Sequence, residues 1–172
     1  MAYLLDANVF IQAKNLYYGF DICPAFWDWL DAKSSTGDVL SINEVRDELV
    51  AGDDQLSEWA QERGTELFRR QDQLVAPSLA RVAQWVQAHP DYAPAAKSDF
   101  LQVADFVLVA YAHAHGHEVV THERHENSVK KVKIPSVCLA LSVPYTSPFN
   151  MLKRERARFI LGRSPVPRSS AT

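Results

Sequence analysis

The chain has 172 residues, 47% of them apolar, which suits one domain, or one domain with an added helical insert. No basic region followed by an apolar stretch opens it, and no apolar run nears the roughly 18 residues of a membrane span; neither a leader peptide nor a membrane-embedded function is expected, and a cytoplasmic protein is. The net charge of −3 is unevenly spread: residues 1–123 carry 8 Lys+Arg against 19 Asp+Glu, net −11, and residues 124–172 carry 10 against 2, net +8. An acidic front able to hold divalent cations, followed by a basic last part, fits a metal-dependent enzyme acting on a polyanion. The alternative is a basic helix that is merely solvated or pairs with the acidic front. Cys23 and Cys138 lie too far apart to suggest metal-ligand spacing, and two buried thiols fit a reducing compartment.

Tyr3, Leu4 and Leu5 form a short apolar run that ends at a carboxylate, Asp6. Such a run reads as a buried strand of a parallel sheet. Ligand sites in open α/β sheets lie outside the carboxyl ends of the strands, where Asp6 falls. Asn8 is placed to cap the next helix or to reach the same site; a plain turn with a cap is the simpler reading of Asp6-Ala-Asn8. A helix is predicted from Asn8 to about Lys14. Tyr17, Tyr18 and Phe20 follow in a loop punctuated by Gly19 and Pro24. These rings either pack on the core or offer stacking faces to a base, packing being the ordinary role. Pro24 suits a helix first turn, and the helix ends in Ser34-Ser-Thr-Gly37.

Val39 to Ile42 is predicted as the second strand, with Asn43 as cap of a helix that runs to Gly52. Glu44 and Glu48 lie one turn apart on one face of that helix. Like charges at that spacing disfavour a helix unless a cation compensates. Residues 53–97 read as helical and peripheral, with one helix beginning at Pro77 or Ser78. A long helix is predicted over 98–115, capped by Ser98, with Asp105 in its middle. A carboxylate embedded in Ala104-Asp105-Phe106-Val107-Leu108 should be neutral, paired or on a metal. Asp99, in the predicted first turn, has an ordinary helix-dipole role. Val119 to Thr121 is the third strand, running into His122 and Glu123. Ile134 to Leu141 is a fourth apolar stretch, 144–148 a loop and Phe149 to Leu161 a basic amphipathic helix. Residues 1–162 read as a single domain and 163–172 as a disordered tail.

Strands alternating with helices indicate a parallel sheet with right-handed crossovers. Asp6, Glu48, Asp105 and Glu123 each fall at a strand end or on the helix next to one. Converging without a cation they would repel and raise one another's pKa. With Mg²⁺ or Mn²⁺ they make a hard-oxygen site suited to phosphodiester hydrolysis. Four pieces carry a resemblance: Leu4-Leu5-Asp6-Ala7-Asn8, Glu48-Leu49-Val-Ala-Gly52, the apolar run from Ala104-Asp105 to Ala112, and Val119-Val-Thr121-His122-Glu123. In that order they resemble the PIN-domain family, across most of the chain, and specifically a VapC-like or PIN-like branch of uncharacterised function.

The resemblance implies a three-layer α/β/α sandwich around a central parallel sheet of about four to five strands, with a helical insert between strands two and three. It implies a Mg²⁺/Mn²⁺-dependent endoribonuclease, and for many small stand-alone relatives a toxin held in check by an antitoxin encoded nearby; PIN relatives are also often dimers. Asp6, Glu48, Asp105 and Glu123 would be the catalytic metal ligands, with Asn8 and Thr121 orienting ligands or water. Glu123 stands where Asp or Asn is commoner, which suits a ligand acting through water. Glu44 is the alternative to Glu48, as a principal, outer or second-metal ligand. Lys130, Lys131 and Lys133 either track RNA phosphates or form a solvated loop, and His122 reads as a surface histidine. A haloacid-dehalogenase-type phosphatase also starts with an Asp after a strand, but needs a carboxylate where Asn8 stands. A catalytically silent PIN-like module binding RNA or a protein is the competing class of answer. Neither the aromatic loop nor the tail identifies ribose, so a flap-nuclease-like DNA activity stays open.

Overall fold

The computed structural model describes residues 1–160. Five short strands form one all-parallel sheet: β1 (Tyr3–Leu5), β2 (Val39–Ile42), β3 (Phe68–Arg69), β4 (Glu118–Val120) and β5 (Tyr145–Thr146). Their order in space is β3-β2-β1-β4-β5. The chain builds outward from β1 in one direction, then returns to the other side of β1 and builds outward again. The crevice between β1 and β4 is therefore where the strand order reverses, the usual place for a ligand in such sheets. Leu4, Leu5, Val39, Ile42, Val119 and Val120 are all buried, so the sheet is covered on both faces, as the unbroken apolar runs required.

Helices fill the two outer layers. The first, α1 (Ala7–Gln12), leaves β1 at once and widens into a single π-type turn over Ala13–Tyr17. Its Phe10 is fully buried against the rings of Trp59 and Phe68. Next come α2 (Pro24–Ser35), α3 (Asn43–Val50) and α4 (Gln55–Gln61), with Pro24 at the first turn of α2 as expected. The remaining helices are α5 (Val75–Ala88), α6 (Pro94–Leu101), α7 (Ala104–His115), α8 (Ile134–Ala140) and α9 (Pro148–Arg154). The three-layer architecture, the parallel sheet and its strand number match the sequence-based expectation.

Several expected boundaries are corrected. The single helix over 98–115 is two, because Val103 is extended (φ −109°, ψ 166°) and α7 starts after it. Apolar spacing keeps its phase across this break, and no Gly or Pro marks it, so periodicity cannot see it. Ser98 is then interior to α6 and caps nothing, and Asp99 lies near the end of α6 rather than in a first turn. The peripheral stretch 53–97 holds the edge strand β3, and the 144–148 loop holds β5; two-residue strands are too short to show alternation. Helix α5 begins at Val75, ahead of Pro77 and Ser78.

The capping residues also differ. Asp6, not Asn8, caps α1, and Ile42 precedes α3, whose first residue Asn43 donates through Nδ2 to Asp47 at 3.1 Å. The fourth apolar stretch is α8, with Pro135 in its first turn. Helix α9 stops at Arg154, because Arg156 takes a positive φ of 53°. Cys138 is buried, and that burial pushes its thiol up to about 12, but Cys23 is only half-buried. The tail expected at 163–172 lies outside the described residues.

Gly116 ends α7 in the left-handed region at φ +66°, and no heavy atom lies within 4 Å of where a Cβ would stand. Gly116→Ala therefore meets backbone strain without a clash, and should cost roughly 1–2 kcal/mol in a urea unfolding titration. A loss near zero would mean that the turn relaxes out of the left-handed region.

Candidate functional site

The site grows from the last residue of β1. Because the strand ends at Leu5, Asp6 is forced to the carboxyl edge of the sheet, and its backbone N–H still donates to Val120 O at 3.0 Å. Its side chain is 1% exposed. Thr121, directly after β4, donates its hydroxyl to Asp6 Oδ2 at 2.9 Å and accepts from the Glu123 backbone N–H at 3.1 Å. One threonine thus ties the ends of the two central strands across the crevice. Asp6 Oδ1 has only a long contact, 3.5 Å, from the Asn8 backbone N–H.

Asp105 sits in the first turn of α7, where the break at Val103 places it. It is half-buried rather than embedded mid-helix, which corrects the sequence-based expectation. Its carboxyl is pushed up to about 7, first by burial, then by the neighbouring Asp6 and Glu123 carboxylates, with Glu48 adding and Lys131 opposing. The Asp6 carboxyl is pushed up to about 6, by burial above all; Thr121 and the Asn8 N–H oppose this, and Glu123 and Glu48 add to it. Partial burial also raises Glu48, which is otherwise exposed on α3. Two carboxyls held well above their usual range, by burial and by neighbouring carboxylates, mark a cluster whose repulsion a cation would offset.

A cleft of about 440 Å³ opens in front of the cluster, lined by Asn8, Glu48, Asp99, Asp105, Lys130 and Lys131 among others. Four of the expected residues, Asn8, Glu48, Lys130 and Lys131, join Asp105 there. Glu123 stands nearby but faces its own loop. Its Oε1 pairs with Lys131 Nζ at 3.1 Å and Lys133 Nζ at 3.6 Å, and its Oε2 accepts from the Ile134 backbone N–H at 2.8 Å. Lys133 also approaches Glu126, at 3.7 Å. Glu44 turns the other way: Oε1 accepts from Gln71 Nε2, and Oε2 is buried without a hydrogen-bond partner among the described residues. It does not line the cleft. Asp99 does, and sequence reasoning missed it because its place depends on the α6–α7 break. His122 is not a lone surface histidine; it is half-buried between the rings of Tyr17 and Phe149, and burial pushes its pKa down.

The donors around the cleft are oxygens only, the set that suits Mg²⁺ or Mn²⁺ rather than softer ions. Among the described residues no three His, Cys, Asp or Glu side chains form a group that closes directly on one ion. Mg²⁺ usually keeps several waters and is held through one or two carboxylates, and in that manner the set of Asp6, Asp105 and Glu48 fits it.

Strand order, crevice and acidic cluster together define an open α/β domain with an all-parallel five-stranded sheet and raised carboxyls at the end of its central strand. The family model described as "Domain of unknown function (DUF4411)" matches residues 3–159, and the chain belongs to that family. Among curated proteins none matches. A solved structure titled as VapBC2 from Rickettsia felis bound to a DNA fragment from their promoter is similar at 12% identity, over 86% of this chain and 98% of that one, with a TM-score of 0.47. No helix among the described residues is long and apolar enough to cross a membrane.

Proposed function

We propose that the protein is a metal-dependent endoribonuclease of the cytoplasm, acting as a toxin restrained by an antitoxin protein. What supports the nuclease reading is that Asp6, Glu123 and Glu48, from three other segments, all lie near enough to raise the Asp105 carboxyl, and that Glu48 and Asp105 line one cleft with Lys130 and Lys131. The toxin role and its partner come from the motif resemblance.

A bound Mg²⁺ or Mn²⁺ would lower the pKa of a water and offset charge on the phosphoryl oxygens. Asp6 and Asp105 are placed to hold it, with Glu48 and Asn8 reaching the same cleft. Thr121 fixes the Asp6 carboxylate through Oδ2, leaving Oδ1 with the long contact from the Asn8 N–H. Lys130 and Lys131 line the same cleft as Asp105 and Glu48, where a phosphate arriving at a negative site needs a cation. Glu123, tied to Lys131, acts as a positioning residue that orients this lysine.

Incubating the purified chain with total RNA and Mn²⁺ should give discrete cleavage products, and excess chelator should abolish them. RNA left intact under both conditions would remove the nuclease reading. Expression in cells should arrest growth, and co-expression of the adjacent gene's product should relieve it. A second reading is a catalytically silent module that binds RNA or a protein. The observation favouring it is that both Glu123 oxygens are already taken by Lys131, Lys133 and the Ile134 N–H. Calorimetric titration separates the two, since the silent module should bind no Mn²⁺ at the cleft.

A further inference from the structure

Tyr17, Tyr18 and Phe20 of the aromatic loop meet different fates. Tyr18 stacks on Phe26 with centroids 4.4 Å apart, and its carbonyl accepts from Trp27 Nε1 at 2.7 Å. Phe20 stacks on Trp27 at 4.0 Å. Both are absorbed by packing. Tyr17 is turned outward instead. Its ring lies 23° from parallel to His122 at 5.6 Å and edge-on to Phe149 at 5.1 Å, and Phe149 in turn meets His122 at 5.7 Å. Tyr17 is 43% exposed and Phe149 39%. Three rings from three remote segments thus gather at the surface, two of them more than a third exposed, an arrangement that core packing does not need.

His122 joins this trio to the acidic site, since it stands between Thr121 and Glu123 in the chain. A second cleft, of about 330 Å³, is lined by Thr121, Glu123, Arg124, His125, Tyr145 and Phe149. Thr121 is the residue that holds Asp6, and Glu123 raises the Asp6 and Asp105 carboxyls, so this second cleft lies beside the acids at the end of β4, though it shares no lining residue with the first. Arg124 is exposed at the rim. The cleft's one carboxylate, Glu123, directs its charge to the Lys131 and Lys133 side.

We infer that Tyr17, His122 and Phe149, with Arg124 beside them, form a stacking site for an unpaired nucleotide next to the acidic cleft. This deepens the nuclease reading and rests on it for the position of the neighbouring phosphate. A base offers two flat faces, and stacking on an aromatic ring contributes about 1–3 kcal/mol per base. Arg124 takes the phosphate of the same strand. A base-paired strand keeps its faces inside the duplex, so the site selects single strands.

The test is fluorescence anisotropy of the full chain with a labelled short single-stranded oligonucleotide and with the corresponding duplex, in chelator so that nothing is cleaved. Tyr17→Ala and Phe149→Ala should each weaken single-strand binding by about 5- to 150-fold. Phe149→Leu, which keeps apolar bulk and loses the ring, should do the same if Phe149→Ala fails to fold. Arg124→Ala should reduce the slope of log affinity against log salt by about 0.7. The duplex should bind at least roughly tenfold more weakly, by the loss of the stacking energy. Wild-type protein that binds no single strand, binds the duplex equally well, or tolerates the ring substitutions overturns the inference. The two readings fail separately. Cleavage that persists with binding unaffected by the ring variants removes the stacking site alone. Ring-dependent binding by a protein that never cleaves, with Asp105→Asn binding as wild type does, removes the nuclease alone.

Discussion

Asp105→Asn should lower Mn²⁺-dependent RNA cleavage by about 10²- to 10⁴-fold, because charge stabilisation by a metal supplies several kcal/mol and each 1.36 kcal/mol is about tenfold. The same substitution should leave the fold intact and raise the melting temperature at pH 8 in chelator. Both effects have one cause. The Asp105 carboxyl is pushed up to about 7 by burial and by the Asp6 and Glu123 carboxylates, so at pH 8 the wild-type chain carries a charge that its surroundings disfavour. An amide of the same shape removes the repulsion and the metal's anchor together. Added Mn²⁺ should raise the wild-type melting temperature, since a ligand that binds only the native state stabilises by about 2.7 kcal/mol at a hundred times its dissociation constant. The variant should show no such rise. Undiminished cleavage, or an equal Mn²⁺-induced shift in both proteins, would remove Asp105 from the metal's anchor.

Wild-type protein without metal should lose stability as pH rises from about 4 to about 7, and Asp6→Asn should flatten much of that loss. Asp6 titrates near 3.8 when unfolded and at about 6 when folded. The native state therefore holds the proton more tightly than the unfolded chain across that interval. Stability is greatest below the unfolded value, falls as pH climbs toward the folded value, and is level above it. For Asp6 the fall is on the order of 3 kcal/mol, at about 1.4 kcal/mol per pKa unit. Asp105 extends the window to about 7; the two carboxyls repel each other, so their contributions belong to the pair and do not add. The amide oxygen introduced by Asp6→Asn would still accept the Thr121 hydroxyl that Asp6 accepts now, so a loss of fold is not expected. Urea titrations at pH 4, 5.5, 7 and 8 in chelator measure the slope; a wild-type stability that rises over this range would contradict the clustering of the acids. With saturating Mn²⁺ the wild-type slope should shrink, because the cation offsets the charge that the protein alone does not.

The two central strands show how much was legible in the chain and why. Tyr3–Leu5 and Val39–Ile42 were legible because a strand buried on both faces must be almost wholly apolar, Ser41 being accommodated by its hydrogen bond to the Leu5 carbonyl. The place of Asp6 was legible for a related reason: a carboxylate ending such a run can only sit at the sheet's edge. Asp105 was found by its apolar surroundings but misplaced within its helix, since apolar spacing continues unbroken through Val103. Asp99 was passed over for the same reason. Glu44 and Glu48 look equivalent in sequence, one turn apart on one helix face; only packing separates them, turning Glu44 toward Gln71 and leaving Glu48 at the cleft. Glu123's pairing with Lys131 and Lys133, and Tyr17's meeting with His122 and Phe149, depend on loops folding back across many residues, for which no local spacing rule exists.

By itself, then, the amino-acid order determined the layers, the parallel sheet, the strand-end position of Asp6 and the acids available for a site. Those follow from short-range rules, in which burial selects apolar residues and period distinguishes strand from helix. Tertiary structure alone decided the strand order β3-β2-β1-β4-β5, the crevice beside β1, which acids share a cleft, and which aromatic rings stay outside. The physical reason is range: a carboxyl's pKa or a ring's exposure is set by groups within a few ångströms in space, and here those groups come from segments as far apart as Asp6 and Thr121.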